Sequence, residues 1–101
     1  MNNLLLNKVV IGTWPLSGDY GKVDLKIVQK NLEYCYHNNL KEFDTAPSYG
    51  NGFIEFCIGK VLGGKDDILI NTKIGNMPFK GKSFKLEDLK LSFEESLKRL
   101  E

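Results

Sequence analysis

Short apolar runs of strand length alternate along this chain with longer segments in which apolar residues return every three or four positions. Lys8-Val9-Val10-Ile11, stopped by Gly12, predicts a short buried strand, and a turn-rich stretch follows from Pro15 to Gly21. Asp24 is suited to cap a helix reaching about Asn38, because Leu25, Val28, Leu32, Cys35 and Tyr36 recur at helical spacing. Leu40 to Phe43 predicts a second strand. After a loop holding Tyr49, the residues Ile54, Cys57, Ile58 and Val61 mark one face of a second helix, which Gly63-Gly64 stops. Ile68 to Thr72 predicts the third strand, bounded by Asp66-Asp67 and Gly75. Gly75 to Lys85, with two glycines and Pro78, reads as a loop that is long for a βα connection. A third helix then runs from about Leu86 to Leu100, with Leu86, Leu89, Phe93, Leu97 and Leu100 as its apolar stripe.

This βαβαβα order predicts an α/β fold of parallel strands, and right-handed crossovers put all three helices on one side of the sheet. Strand starts recur about every 30 residues, the length of a βα unit. Parallel sheets are nearly always covered on both faces, so one bare face and two free edges make an incomplete architecture. Self-association through the uncovered sheet face is the corresponding expectation.

Composition narrows the class. A chain of 101 residues makes one small domain, and 42% apolar with 27% charged residues is ordinary for a globular protein. Fourteen basic against thirteen acidic residues give a net charge of +1, which disfavours nucleic acid and anionic membrane as partners. Cys35 and Cys57 lack the close spacing of a metal or redox motif and read as buried thiols in a reducing compartment. His37 is the one histidine, so no histidine cluster offers itself to a metal, and it reads as a solvated residue near a helix end. The first eight residues lack the basic start and apolar core of a signal peptide, and no apolar run reaches the roughly 20 residues of a membrane helix. A cytoplasmic location is expected.

The candidate chemistry lies where apolar runs end. Asp44 closes the second predicted strand, Tyr49 follows in its loop, and Lys73 closes the third strand. Strand C-terminal ends of a parallel sheet share one rim, and active sites form there. A phenol with an ordinary pKa of about 10 is a poor acid at neutral pH. An ammonium beside it favours the phenolate, and a carboxylate keeps that ammonium charged and in place. Such a trio suits proton donation to a carbonyl. Two phosphate-loop lookalikes fail on context. Gly59 to Lys65 has Walker spacing, but Asp66 stands where Ser or Thr is required and a helix precedes it. Gly50-x-Gly52 is too short for a dinucleotide fingerprint and reads as a chain reversal. Lys80, Lys82 and Lys85 read as solvated loop charges.

Five segments, in order and spacing, resemble the N-terminal third of the aldo-keto reductases. They are Gly12-Thr13-Trp14, Phe43 to Gly52, Glu55 with Ile58-Gly59-Lys60, Asn71 to Gly75, and Ser96 to Leu100. The resemblance implies that residues 1–101 are the first three βα units of a (β/α)8 TIM barrel, an incomplete barrel of a fold that takes about 250 residues. It implies reduction of a small-molecule aldehyde or ketone by NADP(H), with Tyr49 as proton donor and Lys73 and Asp44 as its supporting pair. Gly12, Thr13, Trp14 and Asp44 would line the nicotinamide end of the cofactor pocket, and no metal is implied. The family's catalytic histidine at the end of the next strand has no counterpart here. Its adenosine-phosphate pocket belongs to the last βα units, so this chain alone is expected to bind cofactor weakly or not at all. Two alternatives stand beside the enzyme. One is a non-catalytic binding or regulatory protein, or a truncated remnant, on the same scaffold. The other is a small flavodoxin-like signalling domain, which three strands and the lack of an acidic pair near the first strand argue against.

Overall fold

Residues 9–101 are described in the computed structural model, and their elements follow the order that the apolar pattern predicts. β1 (Ile11–Gly12) leads through a 3-10 turn (Trp14–Ser17) to α1 (Leu25–His37), and β2 (Glu42–Asp44) leads through a second 3-10 turn (Tyr49–Gly52) to α2 (Phe53–Leu62). β3 (Leu69–Asn71) is followed by a small antiparallel hairpin, β4 (Asn76–Met77) and β5 (Gly81–Lys82), and then by α3 (Leu86–Leu100). The main sheet is parallel in the order β1-β2-β3. It is an open arc of three βα units, as the sequence predicts.

Register divides the sheet into rows with opposite fates. Ile11, Phe43 and Ile70 lie side by side across the three strands and belong to or pack on the core cluster. That core joins Phe43 to Val28 and Leu32 of α1 and to Ile54, Cys57, Ile58 and Leu62 of α2. Burying each such side chain stabilises the fold by about 1.5–3 kcal/mol. The flanking rows, Gly12-Asp44-Asn71 and Glu42-Leu69, fall on the face away from the helices because successive residues of a strand point oppositely. Among the described residues this face is uncovered and mostly polar, and Asn71 donates to Glu42 Oε2 across it at 2.9 Å.

Local signals explain the helix ends. Asp24 accepts from the Ile27 N–H at 3.0 Å and caps α1. Gly64, at φ +80°, turns the chain away after α2. Burial pushes the Cys57 thiol up to about 11, which leaves it an inert core residue. Among the described residues no helix is long and apolar enough to cross a membrane.

Three readings of the pattern need correction. Val9 and Val10 are exposed rather than buried, and pairing begins only at Ile11; Lys8 lies outside the described residues. The long segment after β3 contains a hairpin, whose two-residue strands are too short to show a period. The apolar stripe of α3 packs only in part: Leu100 lies against the core and Leu89 is half-buried, but Leu86, Phe93 and Leu97 are at least half exposed. Ser92 and Ser96 are buried instead. The cause is Gly59, where a Cβ would be driven into the Arg99 carbonyl oxygen. Backbones that close require small side chains on the facing helix.

The opposite rim, at the strand starts, holds a charged cluster. Lys41, just before β2, meets Asp67, just before β3, at 2.6 Å. Tyr36 also donates to Asp67, and its ring lies under both Lys41 and Lys65 at 5.0 and 4.7 Å. The Lys41 hydrogen bond holds the Asp67 carboxyl below the usual carboxylate range.

Gly59→Ala is expected to destabilise the chain by about 1–3 kcal/mol, the usual cost of overpacking, by forcing α3 away from α2. Urea unfolding of the variant beside the parent measures this. A midpoint equal to the parent's would contradict the close contact.

Candidate active site

Tyr49 owes its place to a left-handed turn. Gly50, Asn51 and Gly52 adopt φ values of 58°, 52° and 94° in succession, reversing the chain between β2 and α2. Glycine is needed at position 50 for a second reason, since a Cβ there would come within 3.2 Å of the Phe53 Cβ. Asn51 tolerates the left-handed region, and its Oδ1 accepts from the Phe79 N–H of the hairpin at 3.1 Å. Tyr49 is thereby held at the rim while the next residues dive into α2.

Lys73 reaches toward the same point from two residues beyond the end of β3. Its Nζ donates to Asp44 Oδ2 at 3.1 Å, to the Thr45 carbonyl at 2.8 Å and to the Tyr49 hydroxyl at 3.5 Å. An ammonium has three donors and no acceptor, so these contacts use it fully. The direction matters. The Tyr49 oxygen accepts from Lys73, which leaves its own O–H free to donate elsewhere. Partial burial is the largest single influence on Lys73 and disfavours its charge, but the hydrogen bonds and charges of Asp44 and Tyr49 together outweigh it. Its pKa lies above the ordinary 10.5 as a result. The lysine is an ammonium across the neutral range.

The residues expected at the nicotinamide end divide into two kinds. Thr13 is fully buried, and both its N–H and its hydroxyl donate to the Asp44 carbonyl, at 3.0 and 2.9 Å. Its side chain is committed to fixing the Asp44 backbone. Gly12 stands in the same row as Asp44, and a Cβ there would meet nothing within 4 Å. Trp14 is 40% exposed beside it, edge-on to Tyr20 with ring centroids 4.8 Å apart. Bare backbone next to an exposed indole offers a wall for a flat ring. Among the described residues no cluster of ligating side chains could hold a metal.

Glu55 was not singled out as a functional residue by sequence reasoning. It is fully buried in the first turn of α2. Its Oε1 accepts from Arg99 Nε at 2.8 Å and Ser96 Oγ at 3.1 Å, and its Oε2 accepts from Thr72 Oγ1 at 2.7 Å. The signal was present in the sequence. Glu55 and Gly59 lie on one line of α2, and Ser92, Ser96 and Arg99 lie on one line of α3 at helical spacing. A carboxylate on a buried face demands such partners.

The Aldo/keto reductase family model matches residues 8–101, and the chain belongs to that family. A pyridoxal 4-dehydrogenase of Microbacterium luteolum is 33% identical over 75 residues, covering 73% of this chain and 22% of that protein. An L-galactose dehydrogenase of Arabidopsis thaliana is 29% identical over 102 residues, covering 97% of this chain and 32% of its own length. Among solved structures, the holo form of aldo-keto reductase AKR11C1 from Bacillus halodurans superposes with a TM-score of 0.77 at 25% identity, covering 92% of this chain and 32% of that one. The chain thus spans about a third or less of the length of these relatives.

The Lys73–Asp44 pair is about half exposed at both ends and contributes about 0.2–1 kcal/mol. Because the folded pKa is raised, that contribution is present below the ordinary lysine value and is lost as pH rises through the folded one. Asp44→Asn is expected to lower the Lys73 titration, read from the lysine ε-carbon by NMR. An unmoved titration would show that Asp44 does not hold the ammonium.

Proposed function

We propose that this chain carries the proton-donating part of a carbonyl reductase site, with Tyr49 as general acid and Lys73 and Asp44 as its supporting pair. The observation that carries this reading is the direction of the Lys73–Tyr49 contact, which engages the phenol oxygen and leaves its hydrogen available. A carbonyl oxygen at the rim accepts that hydrogen. As the phenol gives up its proton, negative charge develops beside an ammonium already in place, so no reorganisation is needed at that moment. Asp44 and the Thr45 carbonyl hold the ammonium from behind. Family membership and the oxidoreductase relatives support the reaction class.

NADP(H), when bound, supplies a hydride to the carbonyl carbon. Gly12, Trp14 and Asp44 are the residues of this chain that would border its nicotinamide end, and Thr13 would act through the Asp44 backbone. The substrate is a small aldehyde or ketone.

The test is a fusion of residues 1–101 to the remaining barrel of a related reductase, assayed with NADPH and a simple aldehyde. Tyr49→Phe is expected to lower turnover on the order of 100- to 10,000-fold, the range for a lost general acid. Activity that survives the substitution would remove Tyr49 from the role.

A further inference from the structure

Lys73 lies beyond the strand that presents it. The β3 ladder ends at Asn71, whose carbonyl accepts from the Thr45 N–H at 2.8 Å. Two bonds to buried side chains bracket Lys73 instead. Before it, Thr72 donates to Glu55 Oε2 at 2.7 Å, and after it the Gly75 N–H donates to Ser92 Oγ at 3.3 Å.

The two oxygens of Glu55 divide their partners. Oε1 takes both donors from α3, Arg99 and Ser96, which already join the two helices. Oε2 takes Thr72 and so reaches the strand end. Glu55 also sits in the first turn of α2, directly after the left-handed turn that begins with Tyr49. One buried carboxylate therefore touches the neighbour of the ammonium from the helix whose entry carries the phenol. The reach from Lys73 Nζ to the Tyr49 oxygen, 3.5 Å, is at the outer edge of hydrogen bonding. A shift of about 1 Å in such a contact costs about 100-fold in rate.

We propose that Glu55 is a positioning residue, which through Thr72 sets the distance between the Lys73 ammonium and the Tyr49 hydroxyl. As a statement about catalysis this rests on Tyr49 being the proton donor; as a statement about geometry it does not. A clamp between α2 and α3 requires only the Oε1 contacts, so the Thr72 bond separates the two roles.

Thr72→Val removes that bond, nearly preserves side-chain shape and leaves the Arg99 pair intact. In the fused barrel it is expected to lower kcat on the order of 10- to 100-fold with KM little changed, and Thr72→Ser is expected to restore kcat. In the 101-residue chain, NMR of the lysine ε-carbons should show the Lys73 titration falling in Thr72→Val and returning in Thr72→Ser. Should Thr72→Val fail to fold, Thr72→Ala, which also removes the bond and leaves the Glu55–Arg99 pair in place, should move the titration in the same direction. A Lys73 titration identical in the parent and in the folded Thr72 variants would overturn the proposal and leave Glu55 as a helix clamp. Activity retained by Tyr49→Phe would instead defeat the proton-donor reading, and the titration would still decide the positioning.

Discussion

A carboxylate with no exposed surface joins two helices and a strand, and the rest of the structure is arranged around its needs. Removing an ion from water costs several kcal/mol after relaxation, and only good geometry with full hydrogen bonding offsets it. Glu55 receives three donors from three residues, one of them a guanidinium. Arg99 can reach it because α3 approaches α2 at Gly59, and α3 can approach because Ser92 and Ser96 are small. Charge and close packing thus depend on each other. Loss of either would strand a buried ion or open the helix pair.

This dependence explains which parts of the fold were legible in the sequence. The helices follow from periodicity and the three main strands from short apolar runs, and the bounds of α3 agree with its pattern, because such signals report local backbone preference. The face of α3 is legible only in part: Leu89 and Leu100 turn inward as their spacing predicts, but Leu86, Phe93 and Leu97 stay exposed because hydrophobicity gives way where backbones must nearly touch. Burial of Val9 and Val10 was expected from their chemistry alone, whereas cover for a strand is supplied by other elements. The hairpin after β3 lies below the length at which any period can be read.

The candidate site was more legible than its surroundings. Asp44 and Lys73 sit where apolar runs stop, parallel pairing brings those stops to one rim, and Tyr49 follows in the loop after the first. The committed role of the Thr13 side chain was not legible, since burial of a hydroxyl against a backbone carbonyl leaves no mark on residue spacing. Helical spacing marks Glu55 as facing the small residues and Arg99 of α3, but its bond to Thr72 leaves no such mark, since only the fold brings partners 17, 41 and 44 residues away to one carboxylate. A short motif records what a rim carries. It does not record what steadies the rim from behind.

The charged cluster of Tyr36, Lys41, Lys65 and Asp67 occupies the far ends of the same strands. Lys41, just before β2, and Asp44, at its end, are separated along the chain by about 10 Å, close to the screening length in ordinary salt. Ions in solution therefore mute what either end feels from the other. Substitutions that adapt the lower cluster to heat or salinity can accumulate without altering the charge balance of the Lys73, Asp44 and Tyr49 group above, so the two rims of this small sheet are free to evolve on separate schedules.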